Sequence, residues 1–94
     1  MPTIAISRTH KKPMPEARKA IERVAEHIAE KFDVTWGWDG NTLHFERAGV
    51  HGHIALARGK VDVTAHLSFL LIAIQGTVDR EIRRYLDDEF GKAG

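Results

Sequence analysis

The chain has 94 residues, 43% of them apolar and 29% charged, which suits one compact domain and leaves no room for a second. Fourteen Lys and Arg against thirteen Asp and Glu give a formal net charge of +1, without the basic excess of a dedicated nucleic-acid binder. Cysteine is absent, which excludes a disulfide framework, a thiolate metal site and a cysteine nucleophile and makes a reducing cytoplasm the expected location.

The longest apolar run, Leu67 to Ile74, falls well short of the roughly 18 to 20 residues that span a bilayer. The opening Met1-Pro2-Thr3-Ile4 carries no secretory pattern. A domain of this size buries only about 60 to 65% of its unfolded surface, so a homodimer is expected.

In chain order, Ile4 and Ile6 alternate with Thr3, Ala5 and Ser7, the period of a half-buried strand over 2–8. Pro15 stands where a first helical turn tolerates a missing N–H. From there Ala17, Ile21, Val24, Ile28 and Phe32 recur at spacings of three and four, predicting an amphipathic helix over 15–32. The period then returns to two, and strands are expected over 33–38, 42–48, 52–57 and 60–67. Asp39-Gly40 reads as a two-residue hairpin turn, pairing Trp38 with Asn41, Trp36 with Leu43 and Val34 with Phe45. A reversal at Gly49-Val50 pairs Phe45 with Ile54 and Leu43 with Leu56, with a longer Gly49-to-Gly52 loop as the alternative. One at Arg58-Gly59 pairs Leu56 with Val61 and Ile54 with Val63. The apolar stretch Phe69 to Ile74 reads as a helical turn or bend. Thr77 then caps a second amphipathic helix over 77–90.

The expected fold is an α+β two-layer sandwich of order β-α-β-β-β-β-α, with a mostly antiparallel five-stranded sheet and both helices on one face. The first strand pairs with the fifth or, in parallel, with the second; the fifth is preferred. The architecture is by analogy a reduced helix-grip.

The sheet face turned away from the helices gathers histidines. On the pairings above, His44, Glu46 and His53 converge as candidate metal ligands, and His51 opposes His66. Small residues on the same face, Thr35, Gly37, Thr42, Ala55, Ala57 and Thr64, would let a second copy approach. On the inner face, Trp36, Trp38, Phe45, Phe69 and Tyr85 are candidates for lining an acyl-binding pocket between sheet and helices. Arg8, His10, Lys11 and Lys12, and the trio Arg80, Arg83 and Arg84, are basic clusters too modest for nucleic-acid binding. No G-x-S-x-G elbow, P-loop, H-E-x-x-H or dinucleotide fingerprint is present, so no catalytic residue and no cofactor is assigned, and an enzyme is disfavoured.

Pro2-Thr3-Ile4, Ala29-Glu30-Lys31-Phe32, Trp38-Asp39-Gly40 with Leu43-x-Phe45-x-Arg47, and Phe69-Leu70-Leu71 followed by Gly76-x-x-x-x-Glu81-Ile82 together resemble the polyhydroxyalkanoic acid system proteins, from Pro2 to about Gly91. These are small bacterial proteins named for genes near those of polyhydroxyalkanoate synthesis and granules. The resemblance implies a non-enzymatic accessory protein, with the polyhydroxyalkanoate granule surface or granule proteins as partners. An acyl-binding domain or enzyme, and a histidine metal protein, are the alternatives. No catalytic motif comes with the resemblance, because the matched residues are mostly turn and core positions.

Overall fold

A computed structural model describes residues 3–91. The elements are β1 (Thr3–Thr9), α1 (Met14–Phe32), β2 (Thr35–Asp39), β3 (Thr42–Arg47), β4 (Val50–Ala57), β5 (Lys60–Leu67), a 3-10 segment (Phe69–Ile74) and α2 (Gln75–Phe90). They form an α+β sandwich around one antiparallel sheet of order β1-β5-β4-β3-β2. The preferred pairing of the first strand is the one found, with Ile4 opposite Ala65 and Ile6 opposite Val63.

Alternation places the core. Ile4, Ile6, Leu43, Phe45, Ile54, Leu56, Val61 and Val63 are buried on one sheet face beneath Ile21, Val24 and Ile28 of α1 and Val78, Ile82 and Leu86 of α2. Each such side chain, moved from water to the interior, contributes about 1.5 to 3 kcal/mol before chain entropy is counted. The two helices lie side by side, joined by a forked contact from Arg23 to both oxygens of Glu89 (2.9 and 3.0 Å from Nε). No element covers the other sheet face among the described residues.

Two hairpin turns sit one residue from their expected places. The first loop is Gly40-Asn41 rather than Asp39-Gly40, so Trp36 pairs with Phe45 and Trp38 with Leu43. Gly40 has φ +61° while Asn41 is not in the left-handed region, and a glycine with positive φ at the first loop position is the pattern of a type II′ hairpin rather than the type I′ turn that Asp-Gly suggests. Arg18 fixes the loop by donating to the Gly40 carbonyl at 2.9 Å. The second loop is Ala48-Gly49, which pairs Leu43 with Ile54, Phe45 with Gly52 and Arg47 with Val50; β4 therefore begins at Val50, not at residue 52. Both corrections shift register by two residues, which changes partners and preserves faces. The third reversal stands as expected, with Leu56 opposite Val61 and Ile54 opposite Val63.

The remaining differences are at helix ends. Asp33 and Val34 belong to no strand, β2 running over Thr35–Asp39: Asp33 closes α1 in the left-handed conformation (φ 59°), and its N–H donates to the Ala29 carbonyl at 2.8 Å, the usual means of satisfying a last-turn carbonyl. α2 begins at Gln75 rather than at residue 77, with Ile74 at the cap position and no side-chain cap bond. The 3-10 segment runs directly into it, so an existing turn takes the place of the Thr77 cap. The expected start of the first strand at residue 2 lies outside the described residues.

Candidate functional site

Among the described residues the exposed large apolar side chains fall within one six-residue segment. In the 3-10 segment Phe69 is 79% exposed, Leu70 87%, Ile72 49% and Ile74 39%. No charged side chain occurs between His66 and Asp79, so the ridge is apolar along its whole length. Scattered exposed apolar residues are ordinary, but a contiguous ridge of this kind marks a contact surface.

Local structure explains why the ridge stays out. The Ser68 N–H donates to the Gly49 carbonyl at 2.8 Å, and the Leu71 N–H to the Ser68 carbonyl at 2.9 Å. Leu71 turns back onto the core. Gly49 makes room for it: φ is +85°, and a Cβ there would lie 2.8 Å from Leu71 Cδ1. With one residue pinned in a tight turn, its neighbours Phe69, Leu70 and Ile72 are forced toward solvent.

Beneath this segment lies a small cavity of about 40 Å³. Ile28, Phe32 and Val34 wall it on one side, Phe45 and Val50 of the sheet on another, and Leu71, Ile74, Val78 and Ile82 close it. Arg47 reaches its rim.

The five expected pocket residues do not converge. Phe45 lines the cavity; Phe69 is on the outer ridge. Trp36 and Trp38 share the inner sheet face as expected, half-buried against the core. Trp38 is held by α1: its indole N–H donates to Glu22 at 2.7 Å, and the Arg18 guanidinium lies 3.9 Å from the ring centroid. Tyr85 stacks on His27 across the two helices at 4.9 Å, where burial and then the nearby Glu81 carboxylate push its phenol above the usual range.

On the open face, His44 pairs with His53 (ring centroids 6.1 Å apart) and His51 with His66 (6.5 Å). Glu46 stands across from His51, its Oε2 4.0 Å from Nδ1. The expected ligands His44, Glu46 and His53 are thus split between adjacent rows, and among the described residues no three His, Asp or Glu side chains are gathered around one point. The small residues keep to this face: Thr42 opposite Ala55, Gly37 opposite His44, Thr35 opposite Glu46, Thr64 opposite His53 and Ala57 opposite Lys60.

Part of each basic cluster is ion-paired. Arg8 is 9% exposed, points inward and pairs with Asp87 at 3.4 Å. Arg83 pairs with Asp79 at 2.6 Å, and Arg84 lies 3.8 Å from Glu81. No described helix is long and apolar enough to cross a membrane.

The exposed ridge was not legible as such, because an apolar run without period looks the same whether its side chains are buried or bare. Its freedom from charge was the available signal.

No curated protein and no solved structure matches the chain. A family match runs over residues 4–90, spanning the sheet, both helices and the ridge between them. On that match the chain belongs to the family described as "Putative polyhydroxyalkanoic acid system protein (PHA_gran_rgn)".

Proposed function

We propose that the protein is a non-enzymatic, cytoplasmic accessory of the polyhydroxyalkanoate system that attaches to the apolar surface of polyester storage granules through Phe69, Leu70, Ile72 and Ile74. The observation that carries this reading is the ridge itself, in which Phe69 and Leu70 are almost fully exposed. Removing them from water is favourable on contact with any apolar phase. The family's name links the chain to a polyhydroxyalkanoate system, and a polyester is such a phase, which supports the reading.

Apolar attachment and charge attraction respond oppositely to salt. Screening weakens contacts between exposed charges, while strongly hydrated salts strengthen apolar burial. Purified protein mixed with polyester particles is therefore expected to sediment with them at low ionic strength and to stay in the pellet in concentrated sulfate. Protein that remains in the supernatant, or that leaves the pellet as salt rises, would refute the reading.

A further inference from the structure

Granule attachment uses the outside of the 3-10 segment and leaves unexplained the cavity beneath it and the cation at its rim. We propose that these form a binding site for a short aliphatic carboxylate, with the alkyl end in the cavity and the carboxylate on Arg47. The site stands independently of granule attachment.

Arg47 occupies the inner register of β3, opposite Val50, at the end where the strand passes the C-terminus of α1. Its Nη1 donates to the Phe32 carbonyl at 2.9 Å and its Nε to the Ala48 carbonyl at 3.3 Å. Both acceptors are neutral backbone groups, and among the described residues no carboxylate lies within ion-pair distance of the guanidinium. The cation is therefore held in place but not neutralised. A positioned guanidinium beside an apolar hollow suits an anion with a hydrocarbon tail, because the fork matches the two oxygens of a carboxylate.

The hollow sets the tail length. At about 40 Å³ it has room for a water, yet its apolar walls give a water no partners. Its lining atoms lack dispersion contacts on the open side, so a methyl or ethyl group would be welcome there and a long acyl chain would not fit. Entry is provided by the 3-10 segment. Leu71 and Ile74 are cavity wall while Phe69, Leu70 and Ile72 beside them are exposed, so this is the side where the wall is one segment thick. The same chemistry has two sources, a free short-chain acid or the carboxyl end of a polyester chain.

The test is a methyl-resolved NMR titration of the whole chain with butyrate, and with n-butanol as a tail lacking the charge. Saturable shifts are expected at the Val50, Leu71 and Val78 methyls with butyrate. Arg47→Gln is expected to weaken butyrate about tenfold, the size of one charge-assisted contact, and to leave butanol unchanged. Arg47→Lys, which keeps the charge without the fork, is expected to fall between and guards against a folding effect of the glutamine variant. No saturable shift at these methyls, or equal butyrate affinity in all three proteins, would overturn the proposal. A hydroxyalkanoate oligomer with a free carboxyl end, compared with its methyl ester, separates the sources. Displacement of butyrate by the free-acid oligomer alone assigns the chain end, and displacement by neither assigns the free acid. Displacement by both would contradict carboxylate recognition.

Discussion

Replacing Phe69 and Leu70 together by aspartate is expected to lower affinity for polyester particles about a hundredfold or more, with little change in the urea unfolding midpoint. Each large apolar side chain transferred from water contributes about 1.5 to 3 kcal/mol, and every 1.4 kcal/mol is about tenfold in affinity. Losing two such side chains removes about 3 to 6 kcal/mol when both are fully enclosed on the particle, and the lower end of that range is already about a hundredfold. Stability is spared for the same reason that binding is lost: at 79% and 87% exposure the two side chains contribute little to the folded core, and exposed substitutions usually move stability by no more than about 0.5 kcal/mol. A binding assay alongside a urea titration checks both parts. Loss of binding together with loss of stability would instead make the ridge part of the core.

Gly52→Ala is expected to cost about 1 to 3 kcal/mol or more, a large share of the margin of so small a domain. A Cβ at Gly52 would lie 2.5 Å from the Thr64 carbonyl oxygen and 2.6 Å from Phe45 Cζ. Neither neighbour yields easily. Thr64 belongs to β5, which is held on both sides by β1 and β4, and the Phe45 ring, 3% exposed, lies over the glycine because the two residues are directly paired. Chemical denaturation should show a lower midpoint at unchanged slope. In a Phe45→Ala background the same substitution should cost less, since one of its two clashes is gone. A cost that is equal in both backgrounds would show that the ring does not need the glycine.

That pairing also shows what the sequence could reveal and what it could not. Alternation assigned Ile4, Ile6, Trp36, Trp38, Leu43, Phe45, Ile54 and Val63 to the inner face, and the structure puts them there, because a strand's faces follow from a period of two alone. Partners depend in addition on where each loop turns. Asp39-Gly40 was the stronger textual signal, yet the chain turns at Gly40-Asn41, where Arg18 of α1 binds the Gly40 carbonyl; no local pattern contains that long-range contact. The error carried into the site. With Phe45 set against Ile54, the need for Gly52 was invisible, and Glu46 was set beside His53 instead of His51. Nothing in the chain distinguishes Phe69 from the aromatics that do lie inside. The tight 3-10 turn lets Leu71, and not Phe69, face the core. Arg8 continues the inward alternation of Ile4 and Ile6, a signal that its charge and its place in a basic cluster obscure.

The absence of native cysteine allows a direct test of which surface meets the polyester. A polarity-sensitive fluorophore on Leu70→Cys reports the ridge, and the same dye on His53→Cys reports the open sheet face. On addition of polyester particles, the label at position 70 is predicted to shift to shorter wavelength and to become shielded from an aqueous quencher, while the label at position 53 keeps its emission and its accessibility. Shielding at position 53 with position 70 unchanged would contradict attachment through the ridge and give the contact to the sheet.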